Sequence, residues 1–273
     1  MTTRHCLSGL TALLLCASPL LGGPAGNTNP ASPPTLFLIG DSTVRNHTRG
    51  QLGWGDPIAD WFDHSKITVT NRALGGRSSR TFLTEGLWGK VLAELKPGDF
   101  VLMQFGHNDG GSLDDAKARA SLKGNSEESR IVTNKVSGKI ETIRTYGWYL
   151  RQYISDTKAK GATPIVLSPV PRKIWKDGKV ARAANDYGKW AAEAAKAEGV
   201  AFIDLNDLVA RRYEQLGPEA VEKLFGDEHT HTNPEGAKLN AQCVVEGLRA
   251  IEGCPLAKYL VPAGTRSDQS APH

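Results

Sequence analysis

The sequence predicts an α/β domain built on one parallel sheet. Short apolar runs of strand length alternate with segments of helical periodicity, and no hairpin signal joins neighbouring strands. Strands separated by helices are joined by crossovers, which make parallel pairs. Polar clusters rich in Gly, Asn and Asp follow three of the apolar runs, where sites of parallel sheets lie.

The elements follow in order. Residues 26–34 form a Pro/Ser/Thr linker with nothing to fold. Residues 35–39 read as a buried first strand ending at Gly40. Asp56 followed by Pro57 predicts a capped helix through Ile58, Trp61 and Phe62. Residues 67–70 are the second strand, 75–80 a Gly/Ser/Arg turn, 87–95 a helix and 99–104 the third strand. Residues 110–138 carry few large apolar side chains and read as an inserted loop. Ile140, Ile143, Gly147, Leu150 and Ile154 mark the stripe of a long helix. Residues 163–167 are the fourth strand, 183–197 an Ala-rich helix and 200–203 the fifth strand. Two helices, a His-rich loop and a terminal helix from Pro234 complete the domain, which spans 35–252, with a tail over 253–273 that frays at its end.

The 273 residues are 40% hydrophobic and 23% charged, the balance of an ordinary globular protein. The net charge of +4 is small and scattered, which argues against nucleic-acid binding. Arg4 and His5 precede an apolar run over 7–21, then Gly22, Gly23, Pro24 and Ala25, the pattern of a cleaved signal peptide over 1–25. The run is too short and too interrupted for an anchor, and Leu15 is bulky for a lipoprotein site at Cys16. The expected product is soluble and exported, secreted or periplasmic, with no stable membrane association. Cys243 and Cys254 remain after cleavage. A helix between them would separate the two by roughly 16 Å, so a disulfide requires the chain to fold back after Gly253.

Gly40-Asp41-Ser42-Thr43-Val44 places a serine after the first strand, where a following helix start would aim N–H groups at an anion. Leu74-Gly75-Gly76-Arg77-Ser78 follows the second strand, and a glycine there can bring its N–H close to an oxyanion. Gly106-His107-Asn108-Asp109 follows the third, where an amide can donate to developing negative charge. Each alone also reads as a plain turn. Asp227-Glu228-His229-Thr230-His231-Thr232-Asn233-Pro234 puts two histidines on the loop before the capped last helix. One can deprotonate Ser42 while a nearby carboxylate fixes its tautomer. A metal site is the competing reading of the same cluster.

Taken together, the four clusters resemble the four blocks of SGNH (GDSL-like) hydrolases, over roughly 36–248. The phrases Gly-Asp-Ser-Thr, Gly-Gly-Arg-Ser, Phe-Gly-His-Asn-Asp and Thr-His-Thr-Asn-Pro-Glu-Gly-Ala are most similar to rhamnogalacturonan acetylesterases. The resemblance implies a three-layer sandwich on a five-stranded parallel sheet of flavodoxin-like type. It implies Ser42 as nucleophile, His231 as base, and the Ser42 N–H, Gly76 N–H and Asn108 amide as oxyanion hole. No cofactor is implied. The family places Asp three residues before the histidine, where this chain has Glu228; Asp227 stands one step further back. On that spacing Glu228 is the expected orienting acid and Asp227 the alternative.

For the substrate, Trp54 between Gly53 and Gly55 is a candidate to stack on a sugar ring, with packing under the loop as the alternative. Arg77, Arg80, Arg172 and Lys173 are candidates to hold carboxylates, in keeping with an acetylated, acidic polysaccharide and a monomeric enzyme. An acetylxylan or short-acyl esterase of the same fold, and an inactive carbohydrate-binding relative, are the rival readings.

Overall fold

Successive residues of a β-strand face opposite sides of its sheet, and in β1 (Thr35–Gly40) both sides are apolar. Leu36 and Leu38 enter one core, Phe37 and Ile39 a second. Burial on two faces requires helices on both. The computed structural model describes residues 32–262, so the expected signal peptide, most of the linker and the end of the tail lie outside the described residues.

After β1 the chain forms a one-turn 3₁₀ helix (Pro57–Trp61), β2 (Thr68–Asn71), α1 (Ser79–Thr84), α2 (Leu87–Glu94) and β3 (Phe100–Gln104). Next come β4 (Ser129–Thr133), β5 (Ile140–Arg144), α3 (Tyr146–Ala159), β6 (Thr163–Leu167), β7 (Trp175–Lys176) and β8 (Lys179–Val180). α4 (Tyr187–Ala197), β9 (Ala201–Ile203), α5 (Leu205–Leu216), α6 (Pro218–Glu222) and α7 (Pro234–Ala250) follow. The main sheet has the order β2-β1-β3-β6-β9, all parallel. Residues of α1 to α4 pack on the Phe37 face, while α5, α6, α7 and the 3₁₀ turn pack on the Leu36 face. This is the expected three-layer, five-stranded α/β sandwich. β2 and β3 flank β1 on opposite sides, so the strand order reverses there. In open sheets of this kind, sites lie beyond the carboxyl ends of the strands at such a reversal.

Several elements differ from expectation. The helix at Pro57 is a 3₁₀ turn, and Asp56 makes no side-chain cap; it accepts instead from the Asn71 amide at 2.9 Å. The segment 129–144 is a β4–β5 hairpin, where a loop and the first turn of a helix were expected. Ile140 is 68% exposed and Ile143 fully buried. Positions three apart fall on opposite faces of a strand, which is why both cannot belong to one helical stripe. The helix expected over 87–95 is present as α2, but a further short helix, α1, precedes it and ends before Gly86, which takes φ +75°. The short β7–β8 hairpin was not foreseen.

Residues 253–262 pack on the domain: Leu256 is fully buried, and the Val261 N–H donates to the Trp61 carbonyl at 2.9 Å. Cys243 and Cys254 are both buried and free, and burial pushes the Cys243 thiol up to about 12.

Candidate active site

Gly40 ends β1 where no side chain fits: a Cβ there would come 2.5 Å from both the Gln104 carbonyl and Val44 Cγ2. The chain then turns at once, with the Asp41 carbonyl accepting from the Val44 and Arg45 N–H groups, both at 3.1 Å. The turn is not continued as a helix, contrary to expectation. A buried polar chain holds it instead. Trp54 Nε1 donates to Gln104 Oε1 (2.8 Å), Gln104 Nε2 to Thr43 Oγ1, and Thr43 Oγ1 to Asp41 Oδ1 (2.7 Å). Buried groups satisfied in this way fix one geometry. Ser42 stands at the centre of the turn, half-buried.

His231 is brought to Ser42 by the loop before α7, whose Asn233 accepts from the Gly236 N–H at 3.0 Å as its N-cap. Asp227 shapes that loop. Its Oδ1 accepts from the N–H groups of His229 (3.1 Å), Thr230 (2.8 Å) and His231 (2.8 Å). Its Oδ2 accepts from His231 Nδ1. Burial raises the Asp227 pKa, but the His231 and Thr230 N–H groups and the imidazole outweigh it and hold the carboxyl below its ordinary range. A carboxylate on Nδ1 makes that nitrogen the protonated one. Nε2 is then the acceptor for the Ser42 hydroxyl, at 2.7 Å.

Glu228, the expected acid, is exposed and touches neither histidine among the described residues. The correction has a physical cause. Three N–H bonds to Asp227 curl the loop, so the residue four back reaches the ring while its neighbour points outward.

The loop after β2 meets the serine directly: a Cβ on Gly75 would come 3.4 Å from Ser42 Cβ. Gly76 takes φ +79°, a left-handed conformation natural to glycine. Among the described residues the Ser42 and Gly76 N–H groups have no acceptor. Asn108 is 8% exposed and donates one amide hydrogen to the Arg77 carbonyl at 3.0 Å, leaving the second available. Asn108→Ala is expected to lower kcat about 10²–10³-fold, the scale of one lost oxyanion donor. A change confined to KM in steady-state kinetics would instead make Asn108 a substrate-binding residue.

Beside Asn108, the Asp109 carboxylate is fully buried and accepts from the Ser79 N–H and hydroxyl and from the Ser121 hydroxyl. Burial, partly offset by these bonds, raises its pKa to about 6. The sequence presents it as a turn residue; its place shortly after a fully buried strand was the available signal. His107 is held low by burial, opposed by Asp41 and reinforced by Arg172 and His231.

The expected sugar contacts are redistributed. Trp54 is fully buried, so it cannot stack on a sugar; its indole anchors Gln104. Arg80 is buried and paired with Glu141 at 2.8 Å. Lys173 is buried against Phe225 and pairs with Glu222. Arg77 turns along α1 to Glu85. Arg172 alone of the four is exposed without an ion pair among the described residues.

A serine at the switch point of a doubly wound sheet, hydrogen-bonded to a histidine that a carboxylate orients, is an arrangement able to carry out serine-based acyl transfer. The chain belongs to the GDSL-like lipase/acylhydrolase family, whose model matches residues 38–239, and it is a carboxylic ester hydrolase. It is 33% identical over 214 residues to a rhamnogalacturonan acetylesterase of Emericella nidulans, covering 78% of this chain and 84% of the relative. It is 31% identical over 233 residues to a probable rhamnogalacturonan acetylesterase of Bacillus subtilis, covering 83% and 97%. Among solved structures, the YXIM protein of Bacillus subtilis superposes with a TM-score of 0.65 at 28% identity. That match covers 81% of this chain but only 57% of the other. An acetylxylan esterase from Geobacillus stearothermophilus, at 18% identity and TM-score 0.54 over 78% and 93%, shares the fold.

Proposed function

We propose that this enzyme removes acetyl groups from an acetylated, acidic plant cell-wall polysaccharide, rhamnogalacturonan, with Ser42, His231 and Asp227 as its triad. The Ser42–His231 hydrogen bond of 2.7 Å carries the reading, and the names of its relatives support the substrate. Ser42 Oγ attacks the acetyl carbonyl as its proton passes to His231 Nε2. The tetrahedral oxyanion is received by the Ser42 and Gly76 N–H groups and the Asn108 amide. The bond to the sugar oxygen breaks, and His231 returns the proton to that oxygen. Water, deprotonated by His231, then attacks the acetyl-serine; acetate leaves and Ser42 regains its proton. Asp227 stabilises the imidazolium in both steps.

Export through the N-terminal signal peptide fits a polymer substrate outside the cell and belongs to the same proposal, as do a monomeric state and independence from any cofactor. Among the described residues no helix is long and apolar enough to cross a membrane. The test is acetate release from acetylated rhamnogalacturonan, homogalacturonan and xylan, with a serine-directed organophosphonate as a second arm. The expected outcome is fastest release from rhamnogalacturonan and a stoichiometric phosphonate adduct on Ser42. Faster release from xylan would move the substrate, and an adduct elsewhere would move the nucleophile.

A further inference from the structure

The loop after β2 is braced by the segment that begins the insertion. Arg119 Nη1 donates to the Gly76 carbonyl at 3.2 Å, and the Arg119 carbonyl accepts from the Ser78 hydroxyl. The Ala120 carbonyl accepts from Arg80 at 2.9 Å, and the Ser121 hydroxyl donates to Asp109 at 3.0 Å. The backbone over 119–121 is therefore pinned at consecutive residues, and the half-buried Arg119 side chain is held with it.

Its guanidinium makes only that one hydrogen bond among the described residues, to a carbonyl. Among the described residues no carboxylate pairs with it. Several other buried or partly buried arginines are neutralised, Arg80 by Glu141, Arg151 by Glu127 and Arg182 by Asp207 and Glu214, while Arg45 is held by the Asn71 carbonyl and Arg144 lies over the Trp148 ring. Arg119 thus keeps a full charge and most of its five donors unspent. The charge lies against the oxyanion loop itself, since a Cβ on Gly76 would sit 3.7 Å from Nη1.

We propose that Arg119 is a specificity-determining residue that binds the carboxylate of a uronic acid unit carrying or adjoining the acetyl ester. The inference rests on the esterase reading above and adds a receptor for the acid group. A guanidinium fork matches the two coplanar oxygens of a carboxylate, and an arginine already anchored loses little freedom on pairing. Held by the loop that meets Ser42, it would register the sugar against the serine.

The experiment compares an acetylated galacturonate oligosaccharide with the same oligosaccharide after its carboxyls are converted to methyl esters, on the wild type, R119Q and R119K. The wild type should favour the acid form through KM, and rising salt should erode that preference. R119Q should raise KM for the acid form about ten- to a hundredfold more than for the methyl ester, the scale of a hydrogen bond to a charged group. R119K, keeping the charge without the fork, should fall between. An equal fall of kcat on both forms would overturn the proposal and make Arg119 a brace or an oxyanion stabiliser. Should R119Q not fold, a wild type with no salt-sensitive preference for the acid form overturns it as well. Release of acetate from neither form, nor from any other acetyl ester, would overturn the esterase reading and this inference with it.

Discussion

Ser42→Ala is expected to lower kcat for acetyl-ester hydrolysis by about 10⁴-fold or more, with the fold retained. The variant keeps Cβ and the main chain, so Gly75 still packs on the turn and the Trp54–Gln104–Thr43–Asp41 chain is untouched. The stability at risk is one hydrogen bond to His231, about 1 kcal/mol. His231→Ala should cost a similar factor, because the two act as one unit, and the double variant should be little worse than either. Kinetics beside a thermal melt make the check. Turnover within tenfold of wild type in a folded variant would remove Ser42 or His231 from the chemistry.

Asp227→Asn is expected to lower kcat by about 10⁴-fold. Asn keeps an oxygen for the three loop N–H groups, so the backbone should stay. Its amide nitrogen would then face His231 Nδ1 as a donor. That forces the proton onto Nε2, where it blocks acceptance of the serine proton. Glu228→Gln, at an exposed position with no partner among the described residues, should change kcat less than threefold. Measured side by side, the pair identifies the acid. A severe Glu228→Gln beside a mild Asp227→Asn would mean that the working loop differs from the one described.

β1, β3 and β6 were legible because each is a short buried run, a pattern that burial on two faces produces directly, while the edge strands β2 and β9 are only partly buried and showed through their short β-branched and aromatic runs. The clusters after β1, β2 and β3 and before α7 were legible for a related reason: a parallel sheet gathers its strand ends at one edge. What failed depended on contacts that spacing does not encode. Ile140 and Ile143 fit a helical stripe as well as an alternating strand, and only pairing with Thr133 and Arg130 decides between them. The glycines around Trp54 left stacking on a sugar and packing under the loop both open. They are there because the backbone crosses Val44 so closely that a Cβ on Gly53 would come 2.2 Å from the Val44 carbonyl carbon. Counting residues back from His231 pointed to Glu228, whereas the N–H groups that needed an acceptor selected Asp227. Arg119 had no signal at all, since its significance lies in the missing partner.

Ser42 and His231, the proposed nucleophile and base, are 189 residues apart along the chain. Nearly the whole domain must therefore be made and docked before a proton can move between them. A nascent chain carrying the completed β1 turn displays a serine without chemistry, and only arrival of α7 switches it on. Long-range closure of this kind is slow compared with local helix formation. Turnover is for that reason a direct clock for the last stage of folding.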